Sequence, residues 1–84
     1  MQENEPPEWA KRVLEELKDV VRKHDALTAF LSDDEKVSKI DRAQVPLLAI
    51  QQGILQAYEN TLVLRLAAIG FNPTKILNPD IVFN

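Results

Sequence analysis

The stretch RAQVPLLAIQQGILQAYENTLVLRLAAIG, residues 42–70, decides the fold of this 84-residue chain. Between Ala43 and Ile69 it contains only two charged residues, Glu59 and Arg65, whereas the rest of the chain is rich in charge. Its longest uncharged run, residues 43–58, is 16 residues long and is interrupted by four glutamines. Because a membrane-spanning helix needs about 20 mostly apolar residues, the stretch predicts a helix that packs against protein.

The helix predicted at residues 42–69 is apolar on more than one side. One stripe comprises Leu48, Gln51 or Gln52, Leu55, Tyr58, Leu62, Arg65 or Leu66, and Ile69; a second comprises Val45, Ile50, Ile54, Ala57, Leu64 and Ala68. Asp41 is a candidate N-cap, and Gly70 suits the C-terminal cap because glycine enters the left-handed region without steric cost. Two apolar stripes require two packing partners.

A second helix is predicted at residues 8–31, where Pro7 is compatible with a helix start. Its apolar positions repeat with spacings of four and three, and the opposite face is charged. The repeating positions are Val13, Leu17, Val20, His24, Leu27 and Leu31. Such an amphipathic helix buries one face and can cover only one side of the helix at 42–69.

These patterns predict an all-α fold in which two antiparallel helices form a hairpin over residues 7–70. Residues 32–41 form the linker, residues 1–6 are expected to be disordered, and residues 71–84 form a short, ordered, apolar C-terminal arm. The uncovered stripe would leave an apolar patch that monomers rarely expose. We therefore expect a homo-oligomeric helical bundle, at least a dimer, with the second helices at its centre.

The composition excludes several classes of function. The chain has no cysteine and one histidine, so it lacks disulfides, thiolate metal sites and a multi-histidine metal site within one chain. A net charge of −3 argues against nucleic-acid binding. There is no glycine-rich phosphate loop, catalytic triad pattern or paired catalytic carboxylates. The sequence predicts neither enzyme activity nor a cofactor, and its N-terminus, which lacks a secretory signal pattern, favours the cytoplasm.

The candidate ligand-binding residues concentrate on the second helix. Gln51, Gln52 and Gly53 interrupt its apolar surface, and a mid-helix glycine costs about 1 kcal/mol relative to alanine. Tyr58 could stack on a base, and the Arg65 guanidinium could bind phosphate or a base edge through paired donors. The alternative for each is a structural role: close helix packing at the glycine, hydrogen bonds across an interface, or a surface ion pair.

Candidate residues on the first helix would act from a neighbouring subunit. Lys11 and Arg12 belong to a basic set that interleaves with acidic residues, which is also typical of a solvated face. His24 lies in the apolar repeat and could contact a ligand between subunits, or it could be a partly buried interface histidine.

Several segments resemble very small helical-hairpin proteins of tailed phages: RV at 12–13, EEL at 15–17, ALTAFL at 26–31, LLAIQQG at 47–53 and AYENTLVLR at 57–65. IQQG at 50–53 is similar to a stretch in the phage anti-CBASS sponge family. Those small oligomeric hairpins bind cyclic di- or trinucleotides and hide them from bacterial immune effectors. The resemblance implies that Gln52 and Gly53 occupy matching positions.

We therefore expect a phage counter-defence protein that works by binding, in the cytoplasm of the host cell, with a cyclic nucleotide held at a subunit interface. The alternative is a small phage regulator or inhibitor that docks on a host or phage protein through its hairpin or C-terminal arm. An RNA-binding helical bundle is a third hypothesis, which the acidic pI disfavours.

Overall fold

The computed structural model describes residues 7–72, and all regular secondary structure in this range is helical. Helix α1 spans Glu8–Leu31, a short helix α2 spans Asp34–Val37, and α3 spans Gln44–Ala67. The all-α prediction is confirmed for these residues. The predicted disorder of residues 1–6, and the C-terminal arm beyond Asn72, lie outside the described residues.

Helices α1 and α3 pack side by side in opposite directions. The first turn of α1 lies beside the last turns of α3, where the Arg65 guanidinium sits over the Trp9 ring. The other end of α1 lies beside the first half of α3, where Gln52 hydrogen-bonds to Thr28. The paired segments therefore form an antiparallel hairpin, with α2 in the linker.

The buried core occupies one end of the hairpin, far from the linker. Leu17 and Leu66 are fully buried at its centre. The buried set comprises Ala10, Val13, Leu17, Val20, Leu62 and Leu66, with Leu14, Val21, Leu55, Val63 and Phe71 packed around it. Toward the linker, Leu27, Leu31 and Leu48 are only half-buried. Two helices bury one stripe each, so the hairpin alone has a small core.

The side of α3 that faces α1 differs in part from the predicted stripe. At the two positions where the sequence left a choice, Gln52 and Leu66 face α1. Tyr58 was expected in the same stripe, but its side chain is 40% exposed. Tyr58 precedes Leu62 by four residues, so the two side chains differ in direction by about 40° around the helix. This rotation turns Tyr58 away from the core.

Helix α3 begins slightly later than predicted. Asp41 accepts a hydrogen bond from the Ala43 N–H at 2.9 Å, but this closes a turn that precedes the helix, and Gln44 is the first helical residue. Pro46 is therefore the third helical residue, within the first turn, where the missing N–H costs no intrahelical hydrogen bond.

The outer face of α1 is charged and locally paired. Lys18 pairs with Glu15 at 3.3 Å, and Asp19 pairs with Arg22 at 2.7 Å and with Lys23 at 3.0 Å. Hydrogen bonds from Lys23 and then Arg22 lower the pKa of the Asp19 carboxyl. These pairs are exposed, so they contribute little to stability.

The C-terminal end of α3 closes in a Schellman turn, as the glycine predicted. The Gly70 N–H donates to the Ala67 carbonyl at 2.9 Å, and the Phe71 N–H donates to the Leu66 carbonyl at 3.1 Å. Gly70 has a φ of 78°, and Phe71 packs against the core. This pattern satisfies the last carbonyls of the helix and turns the chain back toward the hairpin.

Replacing Gly70 with alanine should lower the free energy of unfolding by about 1 kcal/mol, because a non-glycine residue is strained at this φ. Space is not the cause, since a Cβ at Gly70 would meet no atom within 4 Å. Urea denaturation followed by circular dichroism measures the change. Gly53→Ala is the matched control: it also adds a Cβ in open space but within the helix, and should stabilise the isolated hairpin by about 0.5–1 kcal/mol. Equal losses in both variants would contradict the Schellman assignment.

Candidate ligand-binding surface

Three of the candidate residues form one row along the exposed side of α3. Gln51, Tyr58 and Arg65 are spaced by seven residues, which is close to two helical turns, so their side chains point in nearly the same direction. All three are exposed. Each step of the row is about 10 Å long at 1.5 Å per residue. We call these residues the α3 row.

Arg65 is held at the edge of this surface by an aromatic ring from the other helix. Its guanidinium carbon lies 5.8 Å from the centre of the Trp9 ring, within the range of a cation–π interaction. The Trp9 side chain is itself 40% exposed. This pairing limits the freedom of the Arg65 side chain while leaving its N–H donors available to an anion.

The sequence did not single out Trp9 as a site residue. The available signal was its position in the first turn of α1, beside rather than within the apolar repeat that starts at Val13. Its contact with Arg65 depends on how the two helices align, which the sequence of either helix alone does not encode.

The α3 row is embedded in uncovered apolar surface. The large aliphatic side chains on the outward side of α3 are more than half exposed: Leu47 56%, Ile50 60%, Ile54 61% and Leu64 68%. Of the two charged residues in α3, Glu59 is half-buried and Arg65 is exposed. Arg65 therefore provides the formal charge on an outward surface that is otherwise apolar or neutral.

Gln52 and His24 lie in a polar layer between the two helices, away from the α3 row. The Gln52 amide donates to Thr28 Oγ1 at 2.8 Å. His24 Nδ1 lies 3.8 Å from Glu59 Oε1 and 3.9 Å from Asp25 Oδ1, and the histidine side chain is 17% exposed. These contacts help to fix the alignment of α1 and α3.

Gly53 lies on a different side of α3 from the row, since it follows Gln51 by two residues and is rotated by about 200°. A Cβ at this position would meet nothing within 4 Å. The described hairpin therefore provides no packing reason for glycine here, and a close approach by another helix or a ligand remains the hypothesis for it.

The two basic candidates on α1 are exposed on different sides. Arg12 follows Trp9 by three residues and lies on the same side of α1, whereas Lys11 follows Trp9 by two and points elsewhere. Within residues 7–72, none of Lys11, Arg12 and Arg65 forms an ion pair. Arg12, Trp9 and Arg65 therefore place two cations and an aromatic ring near one end of the α3 row.

The part of the chain that the structure describes contains no group of three or more metal-ligating side chains. It also contains no helix long and apolar enough to cross a membrane. The exposed side chains of the α3 row and its surroundings offer hydrogen bonding, stacking, charge pairing and apolar contact.

The two neighbouring glutamines should respond differently to alanine substitution. Gln52→Ala should lower the free energy of unfolding by about 1 kcal/mol, because it removes a part-buried hydrogen bond. Gln51→Ala should change it by less than about 0.5 kcal/mol, as expected for an exposed position. Urea denaturation of both variants measures the difference. Equal stability losses would show that Gln51, too, is held within the hairpin.

Comparison with curated proteins and with solved structures finds no match to the chain. A family model does match, over residues 7–68, and this range includes α1, α2 and α3 in full. The matched range therefore contains the α3 row, Trp9 and the polar layer. Since it covers well over half of the chain, the protein belongs to the Sequestin family.

Proposed function

We propose that this protein is a phage counter-defence protein that sequesters a cyclic-nucleotide immune signal by binding it at an interface between copies of the chain. The observation that carries the proposal is the Sequestin match across the whole helical hairpin, since the family name is compatible with a sequestering role. In this proposal the protein acts by stoichiometric binding and not by catalysis.

The chemistry of the α3 row supports a cyclic nucleotide as the ligand. A nucleobase offers a flat face for the exposed Tyr58 ring and a polar edge for the Gln51 amide. The Arg65 guanidinium is planar and can bind a phosphate of a cyclic nucleotide through two N–H groups. Trp9 orients Arg65 and offers a second stacking surface.

The proposal places the site between two copies because the surface of a single helix is convex. Ligand sites are usually concave and bury most of the ligand surface. The exposed side chains of Leu47, Ile50 and Ile54 would also remain uncovered in an isolated hairpin. A second copy would close the site, cover this surface and bring Lys11 or Arg12 toward the ligand, whereas His24 lies in the polar layer between the two helices of its own chain. Gln52 and Gly53 would then shape the interface rather than contact the ligand from the same chain.

Isothermal titration of the purified protein with cyclic di- and trinucleotides tests the proposal. We expect saturable binding with less than one ligand per chain, because each site is shared between copies. The linear dinucleotide of the same bases is the control and should bind more weakly, since it must lose more conformational freedom on binding. Absence of heat change with every cyclic nucleotide would remove the support for a nucleotide ligand.

The exposed apolar side of α3 also favours a second candidate, a protein-docking module. An amphipathic or apolar helix face is a common recognition surface for a protein groove. In this case, binding of the protein partner should be lost when Ile81 and Phe83 are replaced by serine. It should also be lost when the outward aliphatic residues of α3 are made polar. Arg65→Ala should then have little effect, which is the reverse of the expectation for nucleotide binding.

A further inference from the structure

An uncharged heptad repeat runs along the exposed side of α3, from the N-cap Ala43 to the C-cap Ala68. Its positions are separated by alternating steps of four and three residues, which is the spacing of the contact positions in a coiled coil. Between the two caps these positions are Leu47, Ile50, Ile54, Ala57, Thr61 and Leu64. Every position of the repeat, caps included, is exposed. We call this repeat the α3 seam.

The α3 seam points away from α1. Leu62 and Leu66 are buried against α1, whereas Leu64, midway between them in the sequence, is 68% exposed. Two residues correspond to a rotation of about 200°, so Leu64 lies nearly opposite Leu62. The helix α1 of the same chain therefore cannot cover the seam.

The seam can be removed from water without leaving an unpaired polar group. It contains no charged residue, and Thr61 is its one polar member. The Thr61 hydroxyl already donates to the Ala57 carbonyl of its own helix at 2.9 Å. Because a polar group that is hydrogen-bonded costs little to bury, the seam is suited to packing against another apolar surface.

The seam is long enough for a stable contact between two helices. It covers more than three heptads, the length over which such a repeat indicates a coiled coil. It is about 37 Å long, and half the circumference of a helix is about 17 Å, which gives an area of about 600 Å². Two such surfaces reach about 1,200 Å², the lower end of the range for specific, stable interfaces.

The seam is complementary to itself when a second copy runs in the opposite direction. A two-fold axis midway between Ile54 and Ala57 places Ile54 level with Ala57 of the second copy. It also places Ile50 level with Thr61 of the second copy. Each central layer then pairs a large side chain with a smaller one, whereas a parallel pair in register would stack isoleucine on isoleucine and alanine on alanine. Layers of similar volume fill the space between two helices more evenly.

The charge on this side of α3 also favours the antiparallel direction. Arg65 lies almost ten residues from the two-fold axis, so the two arginine positions are about 28 Å apart along the helices. A parallel pair would hold the two positive charges at the same level. The antiparallel pair also brings the last turn of each α3 beside the first turn of the other, where the helix dipoles attract.

We propose that two copies of the chain pair through their α3 seams as an antiparallel, two-fold symmetric dimer, with Ile54 of each copy packed against Ala57 of the other. The two α3 helices lie at the centre of this dimer and the two α1 helices lie outside. The pairing buries the aliphatic side chains that the single hairpin leaves in water. It does not depend on nucleotide binding.

The same pairing gives the α3 row a second wall, and this consequence rests on the proposed function. Gln51, Tyr58 and Arg65 each follow a seam residue by one position, so they all border one edge of the seam. In the antiparallel dimer the rows of both copies border the same edge. Tyr58 of one copy is then displaced by only about 3 Å along the helix from the level of Gln51 of the other. The second copy therefore completes a cleft that one convex helix does not form.

Cysteine cross-linking without nucleotide tests the direction of pairing. The chain has no cysteine, so Leu47→Cys and Leu64→Cys each introduce one thiol at an exposed position. These two positions are level across the proposed seam, so a mixture of the two variants should form a disulfide-linked heterodimer on mild oxidation. Neither variant alone should cross-link, because its two thiols are about 25 Å apart along the helices, beyond the reach of a disulfide.

The other outcomes of the cross-linking experiment contradict the proposal. Homodimers of Leu47→Cys would show a parallel pair, and absence of a cross-link in every sample would show that the seams do not meet. Because no nucleotide is present, the result is separate from the isothermal titration. Cross-linked heterodimers without nucleotide binding would leave the pairing in place and remove only the proposed ligand.

Two alanine positions of α3 provide a matched second test. Ala57 lies in the seam and Ala49 lies outside it, and both are exposed. Ala57→Glu should convert the dimer to a monomer in sedimentation velocity, because it places two carboxylates near the two-fold axis. Ala49→Glu should sediment as the parent does, and both variants should keep the helical signal in circular dichroism. A dimer that survives Ala57→Glu, or a parent protein that sediments as a monomer, would overturn the proposal.

Discussion

Leu66→Ala is expected to cost about 2–5 kcal/mol of folding free energy, as alanine substitutions of buried leucines do. Leu66 is fully buried at the centre of the core and contributes, with Leu62, the part of α3 that is buried against α1. The total stability of a small domain is only about 5 kcal/mol at the lower end of the usual range. We therefore expect a large fraction of unfolded chain at 25 °C, measured as lost helical signal in circular dichroism.

The matched control for this prediction is Leu64→Ala, two residues away on the same helix. The Leu64 side chain is 68% exposed, so its truncation in dilute protein should change the stability by less than about 0.5 kcal/mol. A loss as large as that of Leu66→Ala at every protein concentration would mean that the two faces of α3 are wrongly assigned. A loss that appears only at high concentration would instead reveal burial of Leu64 between copies.

Arg65→Ala is expected to weaken cyclic-nucleotide binding by about 10- to 150-fold, because hydrogen bonds to charged groups contribute about 1.5–3 kcal/mol. The fold should be retained, since Arg65 is exposed and its cation–π contact contributes only about 0.5–1 kcal/mol at such a site. Arg65→Lys should give an intermediate affinity, because lysine keeps the charge but loses the planar pair of donors. Isothermal titration measures all three affinities.

Trp9→Ala tests whether Trp9 positions the Arg65 side chain, which itself binds the ligand. It removes the aromatic ring beside Arg65 while leaving the guanidinium in place, so a smaller loss of affinity than in Arg65→Ala is expected. Trp9→Phe should restore most of the difference, since a phenyl ring keeps the cation–π contact. Unchanged affinity in Arg65→Ala would show that the ligand does not bind at the α3 row.

The sequence was sufficient for the parts of the fold that depend on local patterns. The repeat from Val13 to Leu31 predicts a helix with one buried face, and Gly70 predicts the turn that ends α3, because each signal is contained within a few residues. The apolar character of residues 42–70 likewise predicts a helix that is apolar on more than one side. The exposed Ile50, Ile54 and Leu64 side chains agree with the second stripe.

The alignment of the two helices could not be predicted in the same way. Whether Gln51 or Gln52 faces α1 depends on a rotation of about 100°, and both choices fit an apolar stripe with one polar position. The hydrogen bond between Gln52 and Thr28, and the contact of Arg65 with Trp9, join residues that are far apart in the sequence. Tyr58 was misplaced for the same reason, since a helix with apolar residues all round does not identify its inner side.

Native mass spectrometry tests most directly whether copies of this chain bind a cyclic nucleotide between them. The protein is sprayed alone and with a mixture of cyclic di- and trinucleotides. We predict a multimer that gains the mass of a whole number of nucleotides, with fewer ligands than chains, and no such gain for Arg65→Ala. A monomer that gains no mass with any cyclic nucleotide would contradict it.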